Sequence, residues 1–138
     1  MTDEELYELA CSARERAYAP YSGFSVGAAL LAKSGKVYLG CNIENRAFSP
    51  SNCAERTAFF KAVSEGERSF VKLAVAGGKA GGSPVFCPPC GVCRQVMREF
   101  CNPDSFCIIL AKSAEEYREY TLAQLLPESF GPDHLGGA

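Results

Sequence analysis

Apolar residues recur at helical spacing near the start of the chain, where Leu6, Leu9, Ala10, Ala13 and Ala17 share one face. Thr2 and Glu5 ahead of them fit a capping box, in which each side chain satisfies a free backbone N–H at a helix start. This pattern predicts a first helix that runs on until Pro20 stops it. The period then changes. Residues 26–32 form a short unbroken apolar run between turn residues, which suits a buried strand. Ser34-Gly35 turns the chain into a second strand from 37 to about 43, its hairpin partner. A polar, irregular stretch with Pro50 in it covers 45–52. From near Cys53 a helical stripe returns through Ala54, Ala58, Phe59, Ala62 and Val63, with Gly66 placed to terminate it. Residues 71–76 predict a third strand, and Gly77, Gly78, Gly81, Gly82, Ser83 and Pro84 a flexible loop. A third helix opens at Pro89-Cys90, turns Val92, Val96, Met97 and Phe100 inward, and ends at Asn102-Pro103. Residues 106–111 predict a fourth strand, 117–120 a short fifth, and 122–126 a single helical turn. Strands alternating with helices predict an α/β fold: one domain over 1–138, with helices on both faces of a five-stranded mixed sheet.

Composition adds exclusions. A chain of 138 residues, 47% apolar and 22% charged, has the make-up of a globular protein able to bury a core. Its net charge of −2 gives no broad electrostatic hold on nucleic acid, so no nucleic-acid partner is expected. No apolar run approaches the ~18 residues that span a bilayer, so no membrane association is expected either. The acidic start Met1-Thr2-Asp3-Glu4-Glu5 lacks the basic start and apolar middle of an export signal, and a cytoplasmic location is expected. Eight cysteines change the picture. Four disulfides would need an exported chain, so their clustering reads as metal binding or redox chemistry.

Cys87, Cys90 and Cys93 stand three apart, and three readings compete. An iron–sulfur run would place a fourth cysteine where Met97 stands. A redox pair Cys87-Pro88-Pro89-Cys90 has the right spacing but follows a glycine loop late in the chain. Zinc takes Cys90 and Cys93, because the N–H groups after Cys90 can donate to its thiolate. Pro88 and Pro89 offer Cys87 none, so it is the poorer ligand. A catalytic zinc takes three protein ligands and one water. Cys53 opens the second helix as Cys90 opens the third, and helix N-termini favour thiolates. That makes Cys53 the third candidate; the alternative is a small buried residue, the reading adopted for Cys11, Cys41, Cys101 and Cys107. Three thiolates leave the metal site with net negative charge, which Arg56 one turn on, or Arg94, can offset. Glu55 either caps the helix with Asn52 or, beside a metal, takes a proton from water and passes it on.

At Cys53-Ala54-Glu55 and Pro89-Cys90-Gly91-Val92-Cys93-Arg94-Gln95 the chain resembles the cytidine deaminases, the small nucleoside-salvage class. A cysteine as first ligand is similar to their small homotetrameric branch. The resemblance extends to Ala19-Pro20-Tyr21-Ser22-Gly23-Phe24-Ser25-Val26-Gly27-Ala28-Ala29-Leu30, to Gly40-Cys41-Asn42-Ile43-Glu44-Asn45, and to the tail over 125–132. It implies the three-layer α/β/α sandwich of that family. It further implies one zinc per chain on Cys53, Cys90 and Cys93, and hydrolytic deamination of cytidine and 2′-deoxycytidine to the uridines and ammonia, with Glu55 moving the proton. Asn42 and Glu44 would take the 3′-hydroxyl of the nucleoside, Phe24 would wall the base, and backbone around Ala54 and Cys90 would hold the amine and carbonyl. Asn42 and Glu44 lie two apart at a strand end and are expected to face the same way. Phe130 would cross to a neighbouring subunit of a homotetramer and pack on the pyrimidine; otherwise it plugs the chain's own core. Two departures stand out. Phe48 replaces a usual Tyr, and Asp133-His134-Leu135 replaces a commoner acidic pair before Leu, so the only histidine is expected at the surface. Other functions remain in view. Deamination of an antibiotic such as blasticidin S is disfavoured by the Asn42/Glu44 pair. Polynucleotide deamination is disfavoured by size and charge. The last is a zinc or redox module without turnover.

Overall fold

The computed structural model describes residues 1–136. Its strands are β1 (Phe24–Ala32), β2 (Val37–Cys41), β3 (Phe70–Lys79), β4 (Cys107–Ala111) and β5 (Tyr117–Thr121), in the order β2-β1-β3-β4-β5. β1 runs antiparallel to both β2 and β3, β3 is parallel to β4, and β4 is antiparallel to β5. The mixed sheet is as expected. The helices are α1 (Asp3–Arg14), α2 (Ala54–Ser64), α3 (Gly91–Phe100) and α4 (Leu122–Leu125), followed by a 3₁₀ turn over Pro132–Leu135. Among the described residues no helix is long and apolar enough to cross a membrane.

The twofold period of the strands divides the core in two. Ala28, Leu30, Leu73, Val75, Ile108 and Leu110 face α2 and α3, whose Ala58, Phe59, Ala62 and Met97 pack on them. Ala29, Ala74, Ala76, Ile109 and Ala111 face the other way, onto Leu6, Tyr7 and Ala10 of α1. Strands covered on both faces read as unbroken apolar runs, not alternating ones. Phe59 is fully buried, with the rings of Phe70, Phe100 and Phe106 at 5.0, 6.4 and 6.1 Å. Burying one such side chain contributes about 1.5–3 kcal/mol.

Two glycines set the spacing of the layers. A Cβ on Gly27 would strike the Ala10 carbonyl and the Arg14 nitrogen of α1; one on Gly40 would strike the Ala54 carbonyl and the Ala58 nitrogen of α2. Backbone cannot swing aside as a side chain can. Gly27→Ala is therefore expected to cost about 1–3 kcal/mol, the range for overpacking, seen as a lower midpoint of thermal unfolding. A variant as stable as the parent would show that α1 lifts off the sheet freely.

The element ends differ from the sequence expectation for identifiable reasons. α1 stops at Arg14, well short of Pro20, because the chain turns so that Tyr18 can pair with Ile43. That pairing also takes Ile43 out of β2. β3 continues through Gly77 and Gly78, expected as loop, because β1 supplies partners as far as Phe24 opposite Lys79. The Arg14 side chain locks this end: Nε donates to the Ser25 carbonyl and hydroxyl, Nη2 to the Lys79 carbonyl and Nη1 to the Gly82 carbonyl. Val92, expected to face inward, is 58% exposed, and Cys93 and Met97 occupy the buried side of α3.

Candidate active site

Both helices that leave the sheet towards the site begin at a cysteine. Cys53 is the N-cap of α2 and Cys90 the N-cap of α3, each with extended backbone. The Cys93 N–H donates to Cys90 Sγ at 3.5 Å. The Sγ atoms of Cys53, Cys90 and Cys93 all lie within 4.8 Å of one another, with Cys53 to Cys90 at 3.7 Å and Cys90 to Cys93 at 3.5 Å. Sulfurs about 2.3 Å from a tetrahedral zinc stand about 3.8 Å apart, so the three positions fit that ion. Three sulfur donors also select a soft or borderline cation over magnesium or calcium.

The charges agree. The Cys53 thiol is pulled down to about 5, mainly by its hydrogen bond with Cys93, with Arg56 and Cys90 adding against the opposing effect of burial. The same bond with Cys53, together with burial, pushes the Cys93 thiol up. Arg56 Nη2 donates to Cys53 Sγ at 3.2 Å. Burial works against the charge of this guanidinium, but its bonds to Cys53 and Cys93 outweigh it and hold the proton. Arg94 is engaged elsewhere and donates to the carbonyls of Pro89 and Leu125.

Glu55 follows in the first turn of α2 and is 4% exposed. It does not cap with Asn52, whose amide donates to Thr57 instead. Burial pushes its carboxyl up to about 7, and the neighbouring Cys53 charge adds to the rise. A carboxyl at that value can both take and give a proton near neutral pH.

Cys53, Glu55, Arg56 and Cys90 open onto a cavity of about 560 Å³, whose walls also include Phe24, Asn42, Phe48 and Ala54. That volume lies within the range of small-molecule sites. Cys87 also lines it but lies outside the sulfur cluster, with Gly77 leaving the room its side chain fills. Burial pushes the Cys87 thiol up to about 11, and it is the position of its sulfur outside the cluster that leaves it no ligand. Phe48 is 69% exposed in a left-handed conformation, φ 63°, edge-on to Tyr21. The loop that carries it, expected only as an irregular link, supplies Ser49, Ser51 and Asn52 to the cavity wall; its polar composition was the available signal.

Asn42 and Glu44 do not share an open face. Both lie beyond the end of β2, so strand alternation does not govern them. Asn42 accepts from the Val26 N–H and donates to the Phe24 carbonyl, each at 2.8 Å, and still lines the cavity. Glu44 lies outside the cavity lining and accepts from the Ser22 hydroxyl and from the N–H groups of Ser22 and Tyr21. These bonds, Ser22 first, hold its carboxyl below the usual range. Ser22 in turn accepts from the Phe24 N–H, so Glu44 anchors the turn that sets Phe24. Neither the Ser22 link nor the Arg14 lock carries a sequence signal, since each joins segments far apart in the chain or in register. Phe130 is 58% exposed and so is no plug over the chain's own core.

A family model described as the cytidine and deoxycytidylate deaminase zinc-binding region matches residues 1–109. A cytidine deaminase of Sporosarcina psychrophila is 54% identical over 138 residues, covering 100% of this chain and 98% of the relative. One from Halalkalibacterium halodurans is 49% identical, covering 98% of each chain. Among solved structures, a cytidine deaminase from Burkholderia pseudomallei superposes with a TM-score of 0.85 at 45% identity, covering 94% of this chain and 100% of the other.

Proposed function

The chain belongs to the cytidine deaminase family, and from that premise we propose that it converts cytidine and 2′-deoxycytidine to uridine and 2′-deoxyuridine with Glu55 as the proton carrier. Zinc binding and hydrolytic cytidine deamination come with the family; the role of each residue rests on geometry. The observation that carries the reading is a buried carboxyl, raised to about 7, on the same cavity as Cys53 and Cys90, two of the three clustered sulfurs, with the third, Cys93, buried behind them. Cys53, Cys90 and Cys93 would hold the zinc, which supplies Lewis acidity that lowers the pKa of a water towards ~7. Glu55 takes the proton of the attacking water and delivers it to ring N3 while the hydroxide oxygen bonds to C4. It then takes the proton of the new C4 hydroxyl and gives it to the exocyclic nitrogen; the C4–N bond breaks as the C4 carbonyl forms, and ammonia leaves. Arg56 shares its charge with the Cys53 thiolate and so limits the negative charge around the metal.

Phe24 walls the base, and backbone around Ala54 and Cys90 orients its amine and carbonyl. Asn42, on the cavity wall, takes the 3′-hydroxyl with the lone pair and N–H left over from its backbone bonds; Glu44, outside the lining, joins it through the lone pairs that Ser22 and Tyr21 leave free. Phe130 lies outside the lining of its own chain's cavity, exposed, on a tail tied to α3 by Gln95 and Arg98. We assign it to the site of a neighbouring subunit in a homotetramer, closed symmetry being the usual route to a shared site. A cytoplasmic location completes the reading.

A competition panel of cytidine, 2′-deoxycytidine, CMP, free cytosine, blasticidin S and a cytosine oligonucleotide tests this. Both nucleosides are expected to exceed CMP in kcat/KM, because a phosphate near the Glu44 carboxylate meets like charge. Equal efficiency on CMP would overturn the nucleoside assignment.

A further inference from the structure

The tail places an aromatic side chain in the open and then restrains it. Phe130 is 58% exposed, yet the peptide unit that follows it is held at both its carbonyl and its N–H. Gln95 Nε2 donates to its carbonyl at 2.8 Å, and the N–H of the next residue, Gly131, donates to His134 Nδ1 at 3.0 Å. Around them Arg98 donates to Ser129 Oγ at 2.9 Å and to Asp133 at 2.7 Å. A Cβ on Gly131 would strike the Arg98 guanidinium, so glycine is what lets that arginine underlie the turn. The imidazole of His134 then stacks on the Phe130 ring, centroids 5.4 Å apart and planes at 18°. Phe130 thus has His134 stacked on one face and remains mostly exposed.

We infer that His134 is a positioning residue: by stacking on Phe130 and accepting the Gly131 N–H, it holds the phenyl ring at one angle so that its free face meets the pyrimidine in a neighbouring subunit. This rests on the shared-site reading of Phe130 given above. An exposed phenyl without a covering partner turns about its side-chain bonds and must be ordered each time substrate binds. The histidine makes the ring a preformed platform. The bond to Nδ1 places the ring proton of neutral His134 on Nε2. His134 touches neither metal ligand nor Glu55, so its effect falls on substrate binding and not on chemistry.

His134→Ala is expected to raise KM for cytidine about 3–10-fold, the range that such an ordering cost implies, with kcat within about twofold. Zinc content, sedimentation and the thermal midpoint should match the parent. His134→Phe keeps a ring without the acceptor and His134→Asn keeps an acceptor without the ring, so each should recover part of the loss. Phe130→Ala should raise KM by at least as much, and adding His134→Ala to it should change nothing further, since coupled residues fail to add. If Phe130→Ala raises KM and His134→Ala does not, the positioning role is overturned while the shared site stands. If Phe130→Ala itself leaves KM unchanged, the shared-site reading fails and takes this inference with it. Equal His134→Ala effects with and without Phe130, or a loss confined to zinc, assembly or stability, would also overturn it.

Discussion

Glu55→Gln is expected to lower kcat by about 10²–10⁴-fold, the range attached to a positioned acid–base group, while the chain keeps its zinc and its fold. The amide matches the carboxyl in volume and cannot carry a proton between water, ring nitrogen and leaving amine. It also removes a carboxyl whose burial works against its charge, so the thermal midpoint should not fall. KM should move far less than kcat, because the side chain acts on the reacting atoms more than on the bound ground state. Turnover close to that of the parent would remove Glu55 from the mechanism. Unchanged zinc, read by elemental analysis, separates a lost proton carrier from a lost metal.

Cys90→Ala is expected to have the largest effect on the molecule as a whole. The Cys90 sulfur is within reach of both Cys53 and Cys93 and accepts the Cys93 N–H at the start of α3. Its removal takes away a ligand and a cap together. Zinc should fall to a trace, activity should be lost, and the thermal midpoint should drop, since metal binding and folding free energy are linked. Cys53→Ala and Cys93→Ala should also release the metal. Cys87→Ala, made beside them, should retain it, because that sulfur lies outside the cluster. A Cys87→Ala protein without zinc and a Cys93→Ala protein with it would reverse the ligand choice.

What was legible in the sequence follows the range of each interaction. The capping box of α1, the end of α2 at Gly66 and the cysteine spacing of α3 are decided within a few residues, and all three are found as expected. Buried strands were legible because double coverage leaves no polar positions in them. The hidden features depend on partners distant in sequence. β3 extends through its glycines only because β1 lies alongside, and Asn42 points where it does because Val26 and Phe24 present backbone groups to it. Val92 misled because an apolar residue at helical spacing normally faces the core, whereas the first turn of α3 leans over the cavity mouth. His134 was expected merely at the surface, and no pattern within the tail announces its stack on Phe130.

Cys53 and Cys90 are 37 positions apart, and the stretch between them contains α2 and β3. An ion gripping both cysteines closes that stretch into a ring. A covalent link over such a span removes about 4 kcal/mol of loop-closure entropy from the unfolded chain in the simplest treatment, and a tight metal clasp acts in the same sense. The ring encloses the middle strand of the sheet and leaves β2 and β5, the two outer strands, outside it. Local opening draws on the least restrained segments, so the loaded protein is expected to open first at its rims, with β3 among the last to let go.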